Sequence, residues 1–367
     1  MRLSDLIDAM EQIAPTRHAE SWDNVGLLAG DPRQGVSKAI LTIDYTPAVA
    51  EEAKAAGCDA VIAYHPPIFD AIKRITSVGP SELVFDAIRR GVAIYSPHTA
   101  LDVAEGGTND VLADAIALVD RQPLRLAQPK ANQYKLVTFV PKDAVEKVSR
   151  ALFDAGAGRI GNYTQCSFRT SGTGTFFGET GASPTLGQAG KLEEPDEVRV
   201  ETVVPIAKIG AVLSALRQSH PYEEPAFDLN QLAAAPESNL GLGRVGKLPG
   251  EVTAEMLINM LKRELGLEHV LAAGDPARMV RRAAVCAGAC GDLLDDAIAQ
   301  QVDLYVTGEI RHHDALKAIR AGMTVVCTLH SNSERAVLKR VKSRLEGQLP
   351  GFAVMISKTD ADPFEVR

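Results

Sequence analysis

Two histidine–carboxylate pairs share one spacing in this sequence, His98-x-x-x-Asp102 and His330-x-x-x-Glu334. A glycine and an apolar run precede each: Gly91-Val-Ala-Ile-Tyr-Ser-Pro leads into His98, and Gly322-Met-Thr-Val-Val-Cys-Thr-Leu leads into His330. Where the chain is helical, residues four apart lie on one face, so each histidine and its acid can reach a common point. Upstream stretches match as well. Asp59-Ala-Val-Ile-Ala-Tyr-His65 and Asp303-Leu-Tyr-Val-Thr-Gly-Glu309 both run from an aspartate through an apolar segment to a ligand-type side chain. Imidazole nitrogens and carboxylate oxygens together suit Zn²⁺, Mn²⁺, Fe²⁺ or Ni²⁺, and the lack of thiolates points away from a closed structural zinc site. An open site that retains water is the catalytic kind. Singly, a histidine at a strand end is more often a hydrogen-bonded turn residue than a ligand, and Asp102 and Glu334 also read as acids favouring a helix N-terminus. Repetition at matching places is what singles out His65, Asp102, His330 and Glu334.

The elements that must position these residues are apolar, β-rich runs alternating with helical patterns, which implies parallel α/β units at both ends of the chain. Strands are expected at 39–43, 60–63 and 92–95, with helices at 47–56 and 81–90. Near the other end, strands are expected at 283–287, 304–306, 324–328 and 353–357, with helices at 293–300, 313–321 and 333–346. His65, His98, Glu309 and His330 all fall just past the C-terminal end of one of these strands, the edge where open α/β sheets collect ligands. The matching order of the two ends reads as a weak internal duplication. The middle differs: strands at 135–140, 165–170, 174–178 and 198–204, with helices at 143–155 and 206–218, suggest two βαβ-like halves. The expected organisation is therefore an N-terminal lobe (1–127), an inserted ferredoxin-like α+β domain (128–235) and a C-terminal lobe (236–367). Polar linkers at Gln128 to Asn132 and Ala233 to Asn239 would bound the insert, and the two lobes would form one α/β domain.

Composition narrows the function class. The chain has 367 residues, 46% of them hydrophobic, enough for more than one core. A net charge of -8 and the absence of any basic run argue against bulk nucleic-acid or anionic-membrane binding. Residues 1–15 read as an amphipathic helix rather than a signal peptide, and no stretch reaches ~18 apolar residues, so a cytoplasmic protein is expected. The five cysteines are expected to be reduced thiols, with Cys286-x-x-x-Cys290 as a minor candidate for half of a metal site. Gly106-Gly107-Thr108-Asn109 reads as an N-cap more than as the start of a phosphate-binding helix, His312-His313 as solvated or functional, and Trp22 as a packing residue, with a place near the cavity as the lesser reading.

YHPPIFDAIKRIT (64–76), PHTALDVAEGGTND (97–110), TGEIRHHDA (307–315), LHSNSE (329–334) and SWDNVGLLAGDP (21–32) together resemble a known family. It is that of the dinuclear-metal-centre toroid proteins, the GTP cyclohydrolase I type 2 homologues or NIF-three-like proteins. The resemblance covers about residues 1–127 and 236–367, while the middle is similar to the PII and CutA ferredoxin-like insert of longer members, with His220-Pro-Tyr-Glu-Glu-Pro225 as its signature. What the resemblance implies is a homohexameric toroid with two divalent metal ions per subunit, held by His65, Asp102, His330 and Glu334. Many bacterial members have two adjacent histidines where this chain has Tyr64-His65, so Tyr64 or His98 would substitute as a ligand. A YHPPIF variant also resembles eukaryotic-type members.

The chemistry implied is metal-assisted hydrolysis of a nucleotide or related small molecule. Glu334 or Asp102 would bridge two ions about 3.5–4 Å apart, with His98 or Glu309 as proton shuttle or orienting group. For GTP, water would attack C8 of the purine and release formate. The alternative is a metal-binding or small-ligand-sensing cage without turnover, in which segments 161–165 and 220–225 of the insert are the places to look for a ligand. A protein-interaction scaffold is a third reading.

Overall fold

The computed structural model describes residues 1–127, 133–233 and 239–365. They fall into two compact units, Met1–Gln128 with Pro236–Arg367, and Pro129–Ala235. In the first unit, helix α1 (Leu3–Ile13) buries Leu3, Leu6, Met10 and Ile13, an apolar stripe at helical spacing. Strands β1 (Gly26–Ala29), β2 (Lys38–Thr42), β3 (Ala60–Ala63) and β4 (Ala93–Ser96) follow, with α2 (Pro47–Ala55) and α3 (Glu82–Arg89) in the crossovers. Thr46 caps α2 by accepting the Val49 N–H, and Pro47 occupies the first turn, where a missing N–H costs nothing. Two short helices, α4 (His98–Val103) and α5 (Thr108–Asp114), and strand β5 (Val119–Leu126) complete the first half.

The second unit runs β6 (Gln133–Pro141), α6 (Val145–Asp154), β7 (Ser167–Thr173), the two-residue strands β8 (Phe176–Phe177) and β9 (Leu192–Glu193), β10 (Asp196–Pro205), α7 (Ile209–Ser219) and β11 (Phe227–Gln231). Its sheet has the order β11-β6-β10-β7, antiparallel throughout. Leu136, Val140 and Val200 of the sheet pack with Val148 and Leu152 of α6 and Leu216 of α7. The strand expected at 174–178 shrinks to β8, which pairs only with β9 outside the main sheet. Strand β11 was not expected from the sequence; its short alternation Phe227-Asp228-Leu229-Asn230 turns the two apolar side chains towards the core, and it pairs with β6. The linker readings fall largely on residues 128–132 and 234–238, outside the described residues.

The first unit resumes with β12 (Gly241–Thr253), α8 (Ala254–Leu265), β13 (Leu271–Ala273), β14 (Met279–Cys286), α9 (Leu294–Ala299), β15 (Leu304–Thr307), α10 (His312–Arg320), β16 (Thr324–Cys327), α11 (His330–Glu334), α12 (Val337–Gln348) and β17 (Ala353–Ile356). A single helix over 333–346 is not what forms: α11 ends at Glu334 and α12 starts at Val337, so the segment carrying His330 and Glu334 is a separate short helix.

The two lobes exchange elements. One sheet is ordered β1-β4-β3-β2-β17 and the other β13-β16-β15-β14-β12-β5, so the last strand of each lobe joins the sheet of the other. Their helices follow. Leu338, Val341 and Leu345 of α12 pack on the first sheet beside α1, while Leu112 and Ala113 of α5 pack on the second beside α8. The sheets are mixed rather than wholly parallel: β2, β3, β4 and β17 are parallel, as are β14, β15 and β16, but β1, β12 and β13 run antiparallel to their neighbours. Alternate residues of the parallel strands face opposite layers. Leu41, Ile62 and Tyr95 join one core and Ile40, Val61 and Ile94 the other, which is why these strands read as unbroken apolar runs.

The duplication reaches single atoms. Asp59 Oδ2 accepts the backbone N–H groups of Ser37 and Lys38 at 2.6 and 3.2 Å, and Asp303 Oδ2 accepts those of Arg281 and Arg282 at 2.9 and 3.1 Å. Each aspartate thus ties the start of one strand to the next. Gly30 and Gly274, with φ +133° and +121°, both back onto the start of a central strand, where a Cβ would lie 2.9 Å from Ala93 Cβ and Thr324 Cα respectively. They belong to a repeated hexapeptide, LLAGDP at 27–32 and LAAGDP at 271–276.

Two expectations are corrected. Cys286 and Cys290 are joined by a disulfide rather than being free thiols or metal ligands; one turn of chain brings their Cα atoms to 6.1 Å, within bridging range. Cys58, Cys166 and Cys327 are free. Trp22 is not packed away but 60% exposed, tilted against Phe69 with ring centroids 6.0 Å apart and edge-on to His98 at 6.2 Å. Among the described residues no helix is long and apolar enough to cross a membrane.

Candidate metal centre

The C-terminal ends of β3 and β16 meet through the strand exchange, and they bring His65, His330 and Glu334 together. One ligand atom from each lies within 4.8 Å of the others. Glu334 reaches both rings, with Oε1 3.3 Å from His330 Nε2 and Oε2 3.3 Å from His65 Nε2. Its side chain is only 4% exposed, against 24% for His65 and 35% for His330. Burial opposes the charge on Glu334 and is the largest influence on it. The facing imidazoles of His330 and His65 outweigh that effect and hold the carboxyl below its ordinary value.

Each histidine of the cluster is turned by a carboxylate on its other nitrogen. His65 Nδ1 meets Asp44 at 2.9 Å, His330 Nδ1 meets Glu309 at 3.0 Å and His98 Nδ1 meets Asp23 at 2.8 Å. Such a bond places the proton on Nδ1 and leaves the Nε2 lone pair for a ligand, the usual arrangement of metal-binding histidines. Burial works against a charge on His65, but Asp44 and Glu334 lift its pKa to about 10, so a cation binding at Nε2 would displace a proton from it. His98 extends a row of imidazoles, its centroid 5.3 Å from that of His65, itself 5.3 Å from that of His330.

Half-buried Asp102 and buried Tyr64 form a second layer. The Tyr64 hydroxyl donates to Asp102 Oδ1 and lies 3.2 Å from Thr108 Oγ1. Burial, reinforced by the charge of nearby Glu334, raises the Asp102 carboxyl to about 6, and burial with Asp102 beside it drives the Tyr64 phenol well up. The two i, i+4 pairs therefore behave differently. His330 and Glu334 face each other on α11, whereas Asp102 turns to Tyr64 and His98 turns to Asp23. Glu309 stays half-exposed and serves His330, and His312 and His313 are exposed.

Asp23, Asp44, Asn109 and Gly288 were missed in the sequence. Asp44 lies just past the end of β2 and was open to the same strand-end argument as His65; Asp23 sits inside the SWDNVG motif. Asn109, fully buried, donates to the Asp102 carbonyl at 3.0 Å and accepts the Ala287 N–H at 2.9 Å, so the Gly106–Asn109 stretch does more than start a helix. Gly288, at φ +71°, leaves a cradle that a Cβ would fill: such an atom would sit 2.9 Å from Glu334 Oε1.

These residues fit a divalent cation. The donor set is two imidazoles and a carboxylate, the Nε2 atoms face inward, and Glu334 Oε2 is buried without a hydrogen bond although it sits near His65. A buried carboxylate oxygen with no well-formed hydrogen bond at the centre of such a set is what coordination would satisfy.

Comparison with known proteins gives one family model, described as Duf34/NIF3 (NGG1p interacting factor 3), that matches residues 1–363. The chain is 40% identical over 329 residues to a Mycobacterium tuberculosis protein named "GTP cyclohydrolase 1 type 2 homolog", covering 89% of this chain and 86% of that one. It is 36% identical to a Bacillus subtilis protein of the same name, covering 98% and 97%. Among solved structures it resembles a Bacillus cereus protein related to NIF3, with TM-score 0.67, 32% identity and coverage of 100% and 99%. A Staphylococcus aureus protein gives TM-score 0.76 at 27% identity, with the same coverage.

Proposed function

The chain belongs to the Duf34/NIF3 family, and from that premise we propose that it is a divalent-metal-dependent hydrolase acting on a nucleotide or related small molecule. The observation that carries this reading is the convergence of His65, His330 and Glu334, with Glu334 Oε2 buried, 3.3 Å from His65 Nε2 and without a hydrogen bond of good geometry, between two carboxylate-oriented imidazoles. His65 Nε2, His330 Nε2 and the Glu334 carboxylate would hold the first ion; Asp102, with Tyr64 beside it, would contribute to a second. A divalent cation bound there would lower the pKa of a bound water and polarise the bond under attack.

The protein's own residues supply the rest. Asp44 and Glu309 fix the two ligand rings, and Asn109 and Gly288 keep the loop after β14 against Glu334. His98, held through Nδ1 by Asp23, keeps Nε2 free to pass a proton to or from substrate. The name carried by the relatives makes GTP the first substrate to test, with attack at C8 and release of formate. The same reading includes a homohexameric toroid in the cytoplasm. It also includes a ferredoxin-like insert, which the β11-β6-β10-β7 order and paired helices support.

The test is metal content per subunit of untagged protein by mass spectrometry, for the parent and for His330→Ala and Glu334→Gln, followed by nucleotide turnover. Two ions per subunit, lost in part in both variants, with formate released only by the parent, is the expected result. Metal binding without turnover on any nucleotide would leave the non-catalytic cage; metal content near zero and unchanged by mutation would overturn the site itself.

A further inference from the structure

The second unit contains a cavity of about 670 Å³, large enough for a small organic ligand. Its walls include the phenyl rings of Phe139, Phe176 and Phe177, and its polar groups include Glu197, Tyr222 and Glu223. The His220-Pro-Tyr-Glu-Glu-Pro225 segment builds one side. His220 is buried, with Nε2 2.9 Å from the Phe139 carbonyl oxygen, while its Nδ1 accepts the Tyr222 N–H at 3.1 Å. That fixes Tyr222 at the cavity. The segment also pins the loop after β8: Glu223 accepts the Ser183 N–H at 3.2 Å, and Thr185 Oγ1 donates to the Pro221 carbonyl at 2.6 Å. Segment 161–165, by contrast, contributes nothing to the lining.

Glu197 is the informative group. It is only 9% exposed, yet among the described residues no lysine, arginine or histidine forms an ion pair with it. Arg199, which also lines the cavity, is committed to Glu201 at 2.8 Å. Facing Glu197 is the Tyr222 hydroxyl, buried and without a hydrogen bond of good geometry. Glu179 and Glu224 add further negative charge to the lining. A buried carboxylate without a cation, next to an unsatisfied hydroxyl and aromatic faces, is complementary to a positive ligand with an apolar body.

We propose that this cavity binds a small organic cation, an alkyl- or aryl-ammonium. Its charged head meets Glu197 and the Tyr222 hydroxyl, and its body lies against the phenyl rings. The site is independent of the metal centre and uses none of its residues.

The test is isothermal titration of the full chain with phenethylammonium chloride and with its neutral counterpart 2-phenylethanol. The expected result is saturable binding of the amine about tenfold or more tighter than the alcohol, the worth of one charge-assisted hydrogen bond. Glu197→Gln removes that preference, and Ala182→Trp, at an exposed position of the lining, weakens both ligands while metal content stays at the parent level. Absence of saturable amine binding by the parent, equal affinity for amine and alcohol, or amine affinity untouched by Ala182→Trp would each overturn the proposal. If Glu197→Gln does not fold, the parent's amine-to-alcohol ratio and the Ala182→Trp variant decide it.

Discussion

Substituting Gly288 by alanine tests whether the candidate metal centre depends on a cradle as well as on the proposed ligands. A Cβ at Gly288 would stand 2.9 Å from Glu334 Oε1 and 3.6 Å from His330 Nε2, the first roughly 0.5 Å inside ordinary contact. Glu334 is buried and cannot swing away freely, so its carboxylate must move by several tenths of an ångström. Metal–ligand distances tolerate only about 0.2 Å, and disturbing the groups that orient ligands typically costs about 10–100-fold in affinity. The left-handed backbone at φ +71° adds about 1–2 kcal/mol of destabilisation for any residue with a Cβ. Gly57→Ala separates the two effects, because Gly57 has φ +65° and nothing within 4 Å of its would-be Cβ. We expect both variants to lose about 1–2 kcal/mol in urea unfolding. Only Gly288→Ala should lose about 10–100-fold in Zn²⁺ affinity, read by competition with a chelating dye. Parent-like affinity in Gly288→Ala, or an equal loss in Gly57→Ala, would refute the reasoning.

Arg244 is 3% exposed and forms two bonds to Asp110 at 2.8 and 2.9 Å, besides donating to the carbonyls of Gly241, Gly243 and Ala104. Arg244→Ala leaves buried acceptors and Asp110 uncompensated and should cost about 3–5 kcal/mol in urea unfolding; a loss below 1 kcal/mol would contradict that assignment. Glu52 accepts bonds from Ser357, Lys358 and Thr359, which overcome the opposing effect of burial and bring its carboxyl from the ordinary 4.5 down to about 2. Because the folded-state pKa is depressed, this stabilisation is present above about pH 4.5 and fades as pH falls towards 2. Hydrogen exchange at the Lys358 and Thr359 amides should therefore accelerate in that window, and Glu52→Gln should flatten the pH response; an unchanged response in the variant would show that another group governs it.

Much of the candidate site was legible because ligands at strand ends follow a local rule. His65, His98, Glu309 and His330 each follow an apolar run whose periodicity is visible along the chain, and Asp59 and Asp303 mark the same place in each repeat. Strand β12 was illegible for the opposite reason. Its sequence, GLGRVGKLPGEVT, contains glycines, a proline and a buried arginine, and its existence rests on pairing with β5 and β14 rather than on alternation. Strand β5 itself, VDRQPLRL, carries an interior proline and mostly exposed residues.

By itself the sequence determined the types of chemistry available, the strand ends that carry them and the repetition of those ends in two lobes, because these follow from local periodicity and spacing. Tertiary structure decided the rest. The exchange of β5 and β17 between sheets, and of α5 and α12 with them, brings candidate ligands more than 260 residues apart within 4.8 Å. It chose Asp44, Glu309 and Asp23 as partners of the three histidines, sent Asp102 to Tyr64, and buried Glu334 against Gly288. Backbone pairing between distant strands leaves no imprint on side-chain periodicity, so the choice of which strand ends meet is made only when the two sheets assemble.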